Sequence, residues 1–336
     1  MANTSSVELL VPIWQKVLQR PSVHEDDNFF ELGGNPASAA SLVVEIAEVC
    51  GRHLSPVSIY FAPTIKTLAA VLEQPLPPHI PPVLLLKAGT QDPPIFIAHG
   101  LGDTVFDLFP LVGKINSTHS IYGMQARGID GVDEPFSSVE AMAQFHIGAI
   151  KQLQPHGPYF LIGYSLGGLV SLEIAQRLSA DGEKIALLAL VDSYPDRNQL
   201  APLQRLLLFL RLAKRRSWWQ RKSTLGSSQS RISKESSQNA HQFAEGNAIM
   251  ERMRSSAHVA LRSYRPQFYR GKVKFVKAEV STDFPDNPIV VWSHLAETFE
   301  METIPGDHWS MLTAQFEQLG STLTRYVNEA ETRDLR

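Results

Sequence analysis

Apolar positions recur along the chain with two different spacings, and the change from one to the other marks out its elements. Over residues 1–75 the spacing is helical. Leu9, Leu10, Ile13, Trp14 and Val17 follow Ser5-x-x-Glu8, a capping-box pattern, so a helix is predicted to begin there and to end by Pro21. A loop carrying Glu25, Asp26 and Asp27 leads to Phe29-Phe30-Glu31-Leu32-Gly33-Gly34. A second helix carries Ala40, Val43, Val44 and Ile46. A short element lies near Ile59-Tyr60-Phe61, and a last helix carries Ile65, Leu68, Ala69, Val71 and Leu72. Four helices in this length make a small bundle. EQPLPPHIPP, from Glu73 to Pro82, cannot continue a helix; it predicts a semi-rigid linker at 76–81.

From 82 to 331 short apolar runs alternate with helical patterns. Strands are predicted at Val83–Leu86, Pro94–Ala98, Ile121–Met124, the run ending at Tyr164, Ile185–Val191 and Phe299–Ile304. Between them lie a helical stretch with Phe106, Leu108, Phe109, Leu111 and Val112, and a helix capped by Ser137-x-x-Glu140 that ends near Leu153. Another helix carries Leu166, Leu169, Val170, Leu172, Ile174, Ala175 and Leu178. Ile185–Val191 is apolar at every position, as a strand covered on both faces must be. Such alternation predicts an α/β domain with a mostly parallel sheet.

Composition narrows the function classes. With 336 residues, 43% of them hydrophobic, the chain has the apolar content for two domains, or for one large and one small. A formal net charge of −3 gives no reason to expect nucleic-acid binding. The single cysteine, Cys50, excludes an internal disulfide and a cysteine-built zinc site, so no metal is expected. It falls in a helical pattern and is expected to be a small core residue in a reducing cytoplasm. MANTSSVELL has no basic stretch leading into an apolar one, so a secretory signal is not expected. No apolar run reaches the ~18 residues that a membrane span requires.

The chemistry gathers where one pattern gives way to the other. Gly163-Tyr-Ser165-Leu-Gly167 stands at a strand-to-helix junction and fits the G-x-S-x-G nucleophile elbow, in which a serine is held on a sharp turn with its Oγ exposed. Asp192 ends the next apolar strand, where open α/β sheets form their sites; its plain alternative is a turn or N-cap residue of DSYPD. A serine nucleophile needs a base that titrates near neutral pH, and His308, in IPGDHWSML after the last predicted strand, is the candidate. Asp307 beside it reads as a loop residue. The order Ser165, Asp192, His308 is that of α/β-hydrolases. The N–H groups of Leu166, after the serine, and Leu101, in His99-Gly100-Leu101-Gly102, are the candidate oxyanion hole. His99 reads as structural.

The first segment resembles the carrier domains of nonribosomal peptide and polyketide synthases, through DNFFELGG, the helix after it and FAPTIKTLAAVLE. That family attaches phosphopantetheine to a serine two residues past the second glycine. Here the position is Pro36, in GGNPASAASL, which has no hydroxyl, although Asn35-Pro36 is a good helix start. Ser38 and Ser41 are the possible substitutes, turned away by their helical steps. The resemblance implies a carrier-like bundle without a covalently bound cofactor. The second segment resembles the thioesterase domain that terminates such synthetases, through FIAHGLGD, IYGMQARGIDG, PYFLIGYSLGG, LLALVDSYPD and IPGDHWSML. That resemblance implies an α/β-hydrolase domain with a helical lid, here about 197–265, and catalysis by Ser165, Asp192 and His308.

The lid candidate carries Arg205, Arg211, Lys214, Arg215, Arg216, Arg221 and Lys222 with Trp218 and Trp219, and no acidic residue from Pro202 to Lys234. It reads either as a hinged cover with a basic face for an acidic carrier or as a solvated basic helix. A second lid helix is predicted from about Ala248 to Ser263. The expected activity is acyl-thioester hydrolysis through an acyl-serine. The substrate is presented on the phosphopantetheine of another carrier protein or synthase module in trans, or as a coenzyme A thioester; membrane contact is not expected. Cyclising or amide-forming release by the same residues, a general carboxylesterase and a non-catalytic docking protein are the alternatives.

Overall fold

The computed structural model describes residues 5–34, 36–52, 54, 58–73, 81–102, 104–130, 132–196, 198, 200, 239–280 and 287–334. The expected linker, apart from Pro81, and the basic half of the expected lid lie outside the described residues. The chain divides into two compact units. One comprises Met1–Ile80 with Gly128–Glu134 and Lys234–Glu251; the other comprises Pro81–Arg127, Pro135–Ser233 and Arg252–Arg336.

The first unit is built on helices α1 (Ser6–Leu18), α2 (Pro36–Cys50), α3 (Ser58–Phe61) and α4 (Ile65–Glu73). The capping box forms as the spacing predicts: Ser5 Oγ accepts from the Glu8 N–H and Glu8 reaches back to the Ser5 N–H. The apolar stripes of α1, α2 and α4 meet in one core with Leu10, Trp14, Leu42, Ile46, Ile65 and Leu68 fully buried. The FFELGG stretch has a packing reason. Phe29 is buried edge-on against Trp14, with ring centroids 5.1 Å apart, and its N–H donates to the Pro63 carbonyl at 2.7 Å. Cys50 packs partly buried against this core, and burial raises its thiol pKa.

The second unit carries a seven-stranded sheet: β1 (Val83–Lys87), β2 (Gln91–Ala98), β3 (His119–Met124), β4 (Tyr159–Tyr164), β5 (Ile185–Val191), β6 (Tyr269–Val280) and β7 (Ala296–Asp307). Their order is β1-β3-β2-β4-β5-β6-β7. Every pairing is parallel except β1 with β3. The helices of this unit are α5 (Phe109–Val112), α6 (Val139–Leu153), α7 (Leu166–Ala180), α9 (Ile289–Trp292), α10 (Ser310–Thr313) and α11 (Phe316–Asp334), and α8 (Asn239–Ser263) belongs to the first unit up to Glu251 and to the second from Arg252.

Both faces of the sheet are covered, which is why its central strands are apolar at every position. In β2, Phe96 and Ala98 face the core built with α6 and α7, and Ile95 and Ile97 face the one built with α5 and α11. The sequence reading predicts six of the seven strands and not β6; its other differences from the structure are local. The N-cap of α6 is Ser138, whose side chain accepts from the Ala141 N–H, not Ser137. The second lid helix, α8, begins at Asn239 rather than near Ala248. A short helix, α10, separates His308 from the last long helix. No helix among the described residues is long and apolar enough to cross a membrane.

Candidate active site

Ser165 sits between β4 and α7 with φ 55° and ψ −122°, a backbone conformation that a side chain-bearing residue rarely adopts. Two glycines make the turn possible by close approach. A Cβ on Gly163 would stand 2.2 Å from the Gly167 carbonyl oxygen, and one on Gly167 would stand 2.3 Å from that of His99. The loop holding Leu101 therefore lies against the first turn of α7. Leu166 opens that helix, so its N–H has no intrahelical partner, and the helix points its positive end at the serine.

The next two groups also stand past strand ends. Asp192 follows β5 with φ 44°. Its N–H donates to the Val276 carbonyl at 2.8 Å, and its Oδ1 accepts from the Ala278 N–H at 3.2 Å. That leaves Oδ2 for His308, whose Nδ1 lies 2.8 Å away. His308 follows β7, and its Nε2 lies 3.1 Å from Ser165 Oγ. With Nδ1–H donating to a buried carboxylate, Nε2 carries the lone pair that accepts from the serine hydroxyl. Asp192 is 3% and His308 8% exposed, so little water competes for these bonds.

Asp307 is committed elsewhere. Its Oδ1 accepts from the Ser310 N–H at 2.9 Å, and this bond, first among several causes, holds its carboxyl below the ordinary value. Tyr164 fixes the histidine loop: its hydroxyl donates to the His308 carbonyl at 2.7 Å, and its ring stacks on the imidazole at 4.8 Å. Sequence reasoning treated Tyr164 only as the end of a strand. An aromatic residue immediately before the elbow serine was the available signal.

Beside the elbow lies a cavity of about 60 Å³ with Gly100, Gly102, Met142, His146, Leu166 and Val170 among its lining residues. His99, also in the lining, stands with Nδ1 2.9 Å from the Gly100 carbonyl oxygen, and burial lowers its pKa. In the first unit α2 begins at Pro36, the position the carrier resemblance reserves for serine.

A mostly parallel sheet with a serine on a strained turn after one strand, an aspartate after the next and a histidine after the last defines an α/β-hydrolase. Residues 93–326 match the family model of the thioesterase domain, and residues 8–72 match that of the phosphopantetheine attachment site. The chain belongs to the thioesterase family, serine hydrolases that act on thioester bonds. It is 37% identical over 203 residues to the dimodular nonribosomal peptide synthase of Bacillus subtilis, across 60% of this chain and 8% of that protein. It is 36% identical over 190 residues to the indigoidine synthase of Streptomyces lavendulae, across 56% and 15%. The chain thus spans at most 15% of the length of these two relatives.

Among solved structures, a holo four-domain nonribosomal peptide synthetase aligns with 97% of this chain and 26% of its own, with a TM-score of 0.59 at 22% identity. The NocB thioesterase domain, in covalent complex with a fluorophosphonate nocardicin G analog, aligns over 70% and 95%, with a TM-score of 0.52 at 21% identity. At such identities the likeness is one of fold.

Proposed function

We propose that the protein releases an acyl or peptidyl chain from a thioester of nonribosomal-peptide or polyketide type, through an acyl-serine on Ser165. His308 Nε2 takes the hydroxyl proton as Oγ attacks the carbonyl carbon. The negative charge that develops on the carbonyl oxygen is met by the N–H groups of Leu166 and Leu101. Asp192 holds the ring and stabilises the imidazolium. The C–S bond breaks, His308 returns the proton to the departing sulfur, and an ester to Ser165 remains. Water then gives a proton to His308 as its oxygen attacks that ester, releasing the acid and restoring the hydroxyl. The observation that carries this reading is one imidazole 2.8 Å from Asp192 Oδ2 and 3.1 Å from Ser165 Oγ.

Pro36 has no hydroxyl, so the first unit is read as a carrier fold that bears no arm. The thioester then arrives on a carrier or synthase module in trans, or on coenzyme A. The test is turnover of acyl-pantetheine thioesters of several chain lengths by the native protein and by Ser165→Ala. The variant is expected to lose at least about 10³-fold in kcat. Equal rates in the two proteins would leave only a docking role, and faster turnover of carboxylic esters than of thioesters would favour a general esterase.

A further inference from the structure

If the protein cleaves thioesters as proposed, the thiol end of its substrate has a required position, and a seat for the thiol rests on that reading. The proton taken from Ser165 resides on His308 Nε2 and passes to sulfur, so the sulfur must leave on the His308 side of the serine. The cavity beside the elbow is lined by His99, Gly100, Gly102, Leu166 and Gly167 among others, and neither His308 nor Trp309 is among its lining residues.

Trp309 stands next to His308 in the chain. It is 61% exposed, a large apolar ring left open to water. Its backbone is nevertheless held in place. The ring stands edge-on to the imidazole, with centroids 5.7 Å apart, and the Trp309 carbonyl accepts from Thr313 Oγ1 at 3.1 Å. The turn below it is locked by the paired bonds between Asp307 and Ser310. A solvent-facing aromatic ring thus stands beside the base that must protonate the leaving thiol.

We propose that Trp309 is the seat of the pantetheine arm. The arm is an uncharged chain of methylenes and two amides that ends in the reacting sulfur. Flat amides and methylenes lie well on an indole face, and the amides also suit its N–H. Binding there draws on contacts remote from the reacting bond, which help to hold the sulfur in register with Nε2.

The experiment compares one acyl group carried on pantetheine and on ethanethiol, in the native protein, Trp309→Ala and Trp309→Phe. The native protein is expected to prefer the pantetheine ester in kcat/KM. Trp309→Ala is expected to reduce that preference by roughly 5- to 20-fold, mainly through KM, and Trp309→Phe to recover most of it. An equal loss on both esters would mean that Trp309 only props the histidine loop, and no change in the preference would also overturn the proposal. Saturation-transfer NMR with free pantetheine, which has no bond to cleave, separates this idea from the hydrolase reading. Binding that is weakened in Trp309→Ala supports the seat even if no ester is turned over, and binding that is absent or unaltered refutes it.

Discussion

His146 lies on the buried face of α6 with an imidazole kept neutral by its surroundings: burial first, then neighbouring His99, push its pKa down from 6.5 to about 3. A base with a lower pKa folded than unfolded binds fewer protons in the folded state as pH falls below 6.5. Its contribution is therefore intact above that pH and is lost as pH falls towards 3, at roughly 1.4 kcal/mol per unit. His146→Gln removes this titration while His99 and the carboxylates remain. The native unfolding free energy in urea is expected to fall more steeply than the variant's between pH 6.5 and 4, by about that slope; parallel curves would refute it. Nothing in the sequence distinguishes His146 from any other residue on an apolar helix face. Its desolvation depends on what the rest of the chain packs against α6. Ser165, Asp192 and His308 were legible for the opposite reason. Ser165 and Asp192 come after apolar runs that had to be strands, His308 after the alternating stretch Phe299–Ile304, and parallel strands deliver the residues at their C-terminal ends to one edge of the sheet. Tyr164 was not legible, because its role lies in what it touches across 144 residues of chain.

At the scale of elements, the elbow depends on how closely strand and helix pass. A Cβ on Gly167 would meet the carbonyl oxygens of His99 and Ala98 at 2.3 and 2.5 Å, and both are backbone atoms that move only if the loop after β2 moves. Gly167→Ala is expected to cost about 1–3 kcal/mol of stability and, by displacing Leu101, roughly 10- to 100-fold in kcat. Gly148→Ala is the control. On exposed α6 surface, with nothing within 4 Å of the added carbon, it is expected to stabilise by about 0.5–1 kcal/mol with kcat unaltered. Thermal melts and steady-state rates read both, and similar effects at the two sites would contradict the steric account. Apolar runs gave the central strands because a doubly covered sheet leaves no polar alternation to confuse with helix, whereas β6, with Lys272, Lys274 and Lys277 breaking its apolar positions, was not read. They did not give the direction of β1, since an edge strand reads alike in either sense. Nor did they give the cap of α6. Ser137 and Ser138 are equally good caps, and the choice falls to the register that buries Val139, Ala143, His146 and Ile150.

At the scale of the whole molecule, the chain joins a unit that matches the phosphopantetheine attachment model to one that matches the thioesterase model. In a protein that loads itself, the arm would sit on the first unit; here the question turns on one residue. Pro36 is the first residue of α2, where a missing N–H costs nothing because that donor has no intrahelical partner. Proline therefore preserves the helix start, and on the proposed reading it lacks the hydroxyl that would take the arm. The fold and the chemistry of this unit are separable on that account, and substitution tests the separation. Incubation with a phosphopantetheinyl transferase and coenzyme A is expected to leave the intact mass of the native protein unchanged, and Pro36→Ser is expected to gain one arm. A gain by the native protein would move the attachment to another residue, with Ser38 and Ser41 the first to map. No gain by Pro36→Ser would mean that the surface read by the transferase has been lost along with the serine. In the expected case, Pro36→Ser loaded with an acyl-pantetheine offers the hydrolase unit a thioester in cis. A Ser165-dependent release from that arm would show that the proline alone separates a protein supplied from outside from one that supplies itself.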